Sequence, residues 1–196
     1  MKGLVFCSRN DEAKALSDAF NKRGYNTIAL SGSNSQSERE AAVERLEMGC
    51  DVDENGRPNS EQALDYIFTV DIFNEGVDIP QVNQVIMLRP TQSAIIFVQQ
   101  LGRGLRKADG KEYVVVLDFI GNYNNNFLIP IALSGDRTYN KDNVRKYVRE
   151  GARVIPGSST IHFDEITKKK IFESIDKMTT TKRMLTEKYN QVKYKL

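Results

Sequence analysis

The feature that most constrains the fold is a regular alternation of short apolar runs with helix-forming segments. The apolar runs are typical of buried strands, and they lie at residues 3–7, 25–30, 66–70, 82–88 and 113–118. Residues 11–22 carry a helical pattern, and residues 37–40 have the form of a capping box that opens a helix to Met48. Strands and helices that alternate at this spacing require right-handed crossovers and a parallel sheet. The sequence therefore predicts an α/β fold in three layers.

The composition changes near residue 121. Residues 122–126 are polar and rich in asparagine. Beyond them, apolar residues recur at helical spacing around Val144, Ile171 and Leu185, and residues 161–165 are typical of a turn that caps a helix beginning near Thr167. The sequence predicts two domains: an α/β domain over residues 1–121 and a mostly helical extension over residues 122–196.

Composition narrows the classes of function. A net charge of +2 is too small to indicate a nucleic-acid partner by itself, so any such contact depends on local patches. His162 is the single histidine, which nearly excludes His-based catalysis and zinc binding, and we expect no metal site. Cys7 and Cys50 are isolated, as in a reduced protein. No apolar run reaches membrane-spanning length, so we expect a cytoplasmic protein without a membrane partner.

Residues 91–106 have the pattern of an amphipathic helix with an unusual polar face. At 100° per residue, Gln99, Arg103 and Arg106 fall within roughly 60° of one another, apart from the apolar stripe. Guanidinium groups bind phosphate oxygens through two parallel hydrogen bonds, so this face suits a multiply charged anion. An exposed helix end with arginines that favour the helix dipole gives the same pattern, and spacing alone leaves both interpretations open.

Polar loops follow the first three predicted strands, at residues 8–10, 31–34 and 69–80. Ligands of parallel α/β sheets bind at the carboxyl ends of the strands, where these loops lie. The third loop contributes Glu75, Gly76 and Asp78, which are two carboxylates and a flexible backbone. An isolated carboxylate such as Asp71 is more often a cap or a solvated turn.

Segments of the chain resemble, in order, the conserved C-terminal motifs of superfamily 2 helicases. Residues 4–8 resemble the strand motif that opens the second RecA-like domain, and residues 31–32 fit the intervening loop. Residues 69–80 resemble the fifth motif, and Gln99, Gly102, Arg103 and Arg106 match the sixth motif, Gln-x-x-Gly-Arg-x-x-Arg. The resemblance implies a RecA-like, P-loop NTPase-like domain over residues 3–118. The extension looks more like DEAD/DEAH-type, restriction-type DNA helicases than compact DEAD-box RNA enzymes.

The resemblance also implies roles for particular residues. It implies that Arg106 is the arginine finger that reaches the phosphates of ATP and that Arg103 assists it. It also implies that Gln99 helps to position the water or the phosphate. Contacts to the nucleotide ribose, and coupling to movement, are implied for Glu75, Gly76 and Asp78. Contacts to the nucleic-acid backbone are implied for Ser8, Arg9, Gly32 and Thr69.

The sequence lacks the Gly-x-x-x-x-Gly-Lys-Ser/Thr loop that cradles phosphates. The resemblance therefore implies that ATP and Mg²⁺ act in a full-length protein whose N-terminal RecA-like domain completes the site. We expect this fragment alone to hold no cofactor and to be inactive. The expected function is the C-terminal half of a DNA helicase or translocase. The alternatives are an RNA helicase domain and a non-catalytic nucleic-acid-binding or interaction module of the same fold.

Overall fold

A computed structural model of the chain describes residues 1–48, 63–70, 72, 79–89, 111–119, 128–134, 138, 140–150 and 161–177. The chain divides into two compact units. Unit 1 comprises Met1–Tyr123 and unit 2 comprises Asn124–Leu196.

Unit 1 contains a parallel sheet of five strands. The strands are β1 (Gly3–Phe6), β2 (Thr27–Leu30), β3 (Tyr66–Thr69), β4 (Gln84–Met87) and β5 (Val115–Asp118). Their order in the sheet is β2-β3-β1-β4-β5. The register aligns the last residue of each strand with the last residue of its neighbours, so all five carboxyl ends lie level. The predicted α/β fold with a parallel sheet is confirmed.

Two helices of unit 1 follow β1 and β2. Helix α1 spans Asn10–Asn21, and Gly24 follows it with a φ of +89°, in the left-handed region that glycine adopts without strain. Helix α2 spans Gln36–Glu47 and begins at a capping box formed by Ser35 and Glu38. The predicted box at residues 37–40 is therefore wrong by two residues. Ser35 has the extended backbone of an N-cap and lies three residues before a glutamate, and Ser37 is already inside the helix.

The core of unit 1 lies around the two central strands. All four residues of β1 and all four of β3 are buried, as in parallel sheets covered on both faces. Edge strand β5 differs, because Val115 and Leu117 are 38% and 43% exposed. The prediction of a buried fifth strand is therefore wrong. Residues 113–119 still alternate, but β5 ends the sheet of described strands, and the face that carries its odd-numbered residues is open.

Unit 2 is helical where it is described. Its helices are α3 (Leu128–Ser134), α4 (Lys141–Glu150) and α5 (Glu165–Lys177). Helix α4 packs against α3 and α5, and it buries Val144, Tyr147 and Val148. Asp164 caps α5 by accepting a hydrogen bond from the Thr167 amide at 2.8 Å, which confirms the capping turn although the helix begins at Glu165. The third predicted helix, around residue 185, lies outside the described residues.

Candidate nucleic-acid interface

The level ends of the strands bring several loops to one side of unit 1. We call this side the carboxyl edge, and it comprises the described residues that directly follow β1, β2, β3 and β4. Backbone hydrogen bonds continue across it past the strands: the Cys7 amide donates to Thr69 O at 2.8 Å, and the Leu88 amide donates to Phe6 O at 2.9 Å. The loops therefore begin from backbone that is hydrogen-bonded across neighbouring strands.

The β1–α1 loop places Ser8 and Arg9 at the surface. The Ser8 amide donates to Glu12 Oε2 at 2.9 Å. Arg9 Nε donates to Asp11 Oδ1 at 2.9 Å, and Arg9 Nη2 donates to Asp11 Oδ2, so the guanidinium forms a two-pronged ion pair. The hydrogen bonds from Arg9 hold the pKa of the Asp11 carboxyl below its usual range, and the same partner raises the pKa of Arg9. The carboxylates of Asp11 and Glu12, at the start of α1, thus accept hydrogen bonds from the donors of this loop.

The β2–α2 loop is hydrogen-bonded by a side chain of the helix that follows it. Arg39 Nη2 donates to Gly32 O at 2.9 Å, and the Ser31 amide donates to Asn34 Oδ1 at 2.8 Å. Gly32 is exposed, and a Cβ built on it would meet nothing within 4 Å. Packing against the described residues therefore gives no reason for glycine at this position. Its bare backbone leaves room for close approach by a ligand from outside.

Thr69 lies at the end of β3 and is 0% exposed. Among the described residues, its Oγ1 has no hydrogen-bond partner. A buried hydroxyl without a hydrogen-bond partner lowers the stability of the fold, so this threonine costs free energy where valine would not. Its neighbour Cys7 is chemically quiet, because burial, with a smaller contribution from Glu12, raises the pKa of the thiol to about 12.

The described structure therefore locates four of the ten predicted site residues. Ser8, Arg9 and Gly32 lie at the surface of the carboxyl edge, whereas Thr69 lies at the same edge but in the interior. The six residues predicted to contact the nucleotide lie outside the described residues: Gln99, Arg103, Arg106, Glu75, Gly76 and Asp78.

Sequence reasoning missed the side chains that arrange these loops. Asp11, Glu12 and Arg39 each bond to a loop residue, and their positions in the first turns of α1 and α2 were the available signal. In the part of the chain that the structure describes, no group of three or more potential ligand side chains could hold a metal ion. None of the described helices is long and apolar enough to cross a membrane.

Comparisons with known proteins find a matching family and sequence relatives. Residues 1–108 match the family described as the helicase conserved C-terminal domain. The chain is 27% identical over 118 residues to IRC3 of Saccharomyces cerevisiae, which carries the name of an ATP-dependent helicase; the match covers 60% of this chain and 15% of IRC3. It is also 27% identical over 105 residues to the ATP-dependent RNA helicase SrmB of Haemophilus influenzae, covering 54% of this chain and 21% of that protein.

A solved structure similar to this chain is the DEAD-box protein SrmB of E. coli bound to regulator of ribonuclease activity A. The TM-score is 0.46 at 20% identity, and the match covers 60% of this chain and 59% of that one. The chain spans only about a fifth or less of the length of each of these two sequence relatives.

Proposed function

We propose that this chain, which belongs to the helicase conserved C-terminal domain family, is the second motor domain of an ATP-dependent DNA helicase or translocase. The observation that carries the proposal is the carboxyl edge of a parallel sheet with Ser8, Arg9 and Gly32 at its surface. Family membership supports an ATP-dependent motor, and the edge supports contact with a nucleic-acid backbone.

Nucleic acid would meet the edge through its phosphates. The Arg9 guanidinium, the Ser8 hydroxyl and amide, and the backbone of Gly32 are groups that bind phosphate oxygens without reading bases. Binding would therefore be independent of sequence and weakened by salt. Thr69 is wholly buried, so its hydroxyl could contribute only after the side chain becomes exposed.

The ATP site would be shared with an N-terminal RecA-like domain that holds ATP and Mg²⁺. Arg106 would act as the arginine finger, Arg103 would assist it, and Gln99 would position the water or phosphate. Glu75, Gly76 and Asp78 would contact the ribose. Phosphoryl transfer depends mostly on positioning and on neutralising charge at the transferred group, which is chemistry that arginines supply. Closure of the two domains on ATP, followed by opening, would step the pair along the backbone.

DNA is the first candidate substrate. The extension over residues 122–196 and the Glu75-Gly76 form of the fifth motif favour DNA over RNA. RNA is the second candidate, since relatives such as SrmB are named as RNA helicases. The presence of both Arg103 and Arg106 favours a catalytic protein over a binding module, because a scaffold needs neither arginine.

The experiment that tests the proposal is ATP hydrolysis by the natural full-length protein with single-stranded DNA, duplex DNA or RNA at equal phosphate concentration. We expect stimulation by DNA. Stimulation by RNA alone would overturn the DNA assignment in favour of an RNA helicase. Absence of hydrolysis with every nucleic acid would overturn the motor and leave a binding module.

A further inference from the structure

We propose that Asp11 sets the affinity of the carboxyl edge for nucleic acid by competing with backbone phosphate for the Arg9 guanidinium. The inference rests on the proposed function, because it requires Arg9 to meet a phosphodiester backbone. It assigns a role to a residue outside the helicase-like motifs of the chain.

The geometry of the pair is the basis of the inference. Asp11 takes the Nε and Nη2 groups of Arg9, with Nε 2.9 Å from Oδ1 and Nη2 bonded to Oδ2. A phosphate binds the same fork of a guanidinium through two oxygens. One guanidinium edge therefore serves either the carboxylate or the phosphate.

Sequence position makes the carboxylate a ready competitor. Asp11 lies two residues from Arg9 and within the first turn of α1, so little extra ordering is needed to form the pair. Both side chains are largely exposed, 72% for Arg9 and 65% for Asp11. Exposed ion pairs are weak and exchange readily, so the pair lowers affinity without closing the site.

The surroundings make the competition matter. Among the described residues of the carboxyl edge and of the loops that leave it, Arg9 is the arginine whose side chain is exposed. Arg39 is half-buried and bonds to a loop carbonyl, and Arg89 is also half-buried. Glu12 meanwhile accepts from the Ser8 amide at 2.9 Å, which is a second donor that a phosphate would use. Asp11 and Glu12 therefore each take a donor of the β1–α1 loop that a phosphate would use, and both weaken the attraction of this loop for phosphate.

The test is binding of the natural full-length protein to labelled single-stranded DNA and RNA of equal length, measured by fluorescence anisotropy. Asp11→Asn removes the competing charge, and Asp18→Asn is the matched control because it removes the same charge from an exposed site on the same helix. We expect Asp11→Asn to bind about two- to five-fold more tightly than Asp18→Asn, which is the usual strength of an exposed ion pair. Comparison of the DNA probe with the RNA probe shows for which of the two nucleic acids the affinity increases.

A double-mutant cycle with Arg9→Gln separates this inference from the proposed function. We expect Arg9→Gln to weaken binding and to abolish the gain from Asp11→Asn. Equal affinity of Asp11→Asn and Asp18→Asn, or weaker binding by Asp11→Asn, would overturn competition while leaving the Arg9 contact intact. A gain from Asp11→Asn that persists in Arg9→Gln would also overturn it. Unchanged binding by Arg9→Gln would instead overturn the proposed backbone contact itself.

Discussion

The buried hydroxyl of Thr69 gives a prediction about the stability of unit 1. Thr69 is 0% exposed, and its Oγ1 has no hydrogen-bond partner among the described residues. Thr69→Val keeps the shape of the side chain and the backbone carbonyl that accepts from Cys7, and it removes only the hydroxyl. We therefore expect the variant to be more stable than the natural protein.

The magnitude follows from the cost of burying an unpaired polar group. In proteins that cost is about 1–3 kcal/mol for a hydroxyl. Neighbouring groups relax around a hydroxyl, so we take the lower end and expect a gain of about 1 kcal/mol in the free energy of unfolding. For a domain of this size, such a gain raises Tm by roughly 3–6 °C.

Thr27→Val is the matched control, because it makes the same chemical change where the hydroxyl has partners. Thr27 Oγ1 lies 2.7 Å from Ser17 Oγ and 2.9 Å from Asn21 Oδ1. We expect this variant to lose about 1 kcal/mol. Thermal and urea unfolding of the two variants side by side measures both effects. Destabilisation of Thr69→Val by as much as Thr27→Val would refute the reasoning, since it would show that the Thr69 hydroxyl is bonded within the fold.

Three further predictions concern the described residues. Ser35→Ala removes the capping box of α2 and should lower the free energy of unfolding, measured in urea, by about 1 kcal/mol, whereas Ser37→Ala should leave it nearly unchanged. An equal loss in both variants would contradict the placement of the N-cap at Ser35. Burial raises the pKa of Cys7 from 9.0 to about 12, so the folded state favours the neutral thiol. Its contribution to stability is complete below pH 9 and is lost as the pH rises towards 12, and Cys7→Ala should lose less stability over that range; an identical loss in both proteins would contradict this assignment. Arg9→Gln should reduce the slope of log binding constant against log salt by about 1, and an unchanged slope would exclude Arg9 from the phosphate contacts.

The sheet was predictable because its information is local. Short apolar runs and the segments between them specify parallel strands, and the observed strands lie inside the predicted ones. Details that depend on neighbours were not predictable. The openness of β5 depends on what covers its faces, and α3 is a single short apolar segment with Pro130 inside it, too short to show a helical period.

The candidate site divides in the same way. Ser8, Arg9 and Gly32 could be assigned to the carboxyl edge from their motif positions, because every loop after a parallel strand begins there. The burial of Thr69 and the ion pair from Asp11 to Arg9 could not be inferred, since each depends on where side chains turn after the backbone is set. Side-chain contacts of this kind decide how strongly a predicted site can bind.

The measurement that bears most directly on the proposed motor is the ATP turnover of the full-length protein with Arg106→Ala. An arginine finger contributes about 10³–10⁵ in rate, or roughly 4–7 kcal/mol, so we expect turnover with nucleic acid to fall by that factor while thermal unfolding is unchanged. Lys107→Ala removes the same charge from the neighbouring residue and should retain most of the activity. Turnover by Arg106→Ala equal to that of the natural protein would contradict the assignment of this domain as the half of an ATPase that supplies the arginine finger.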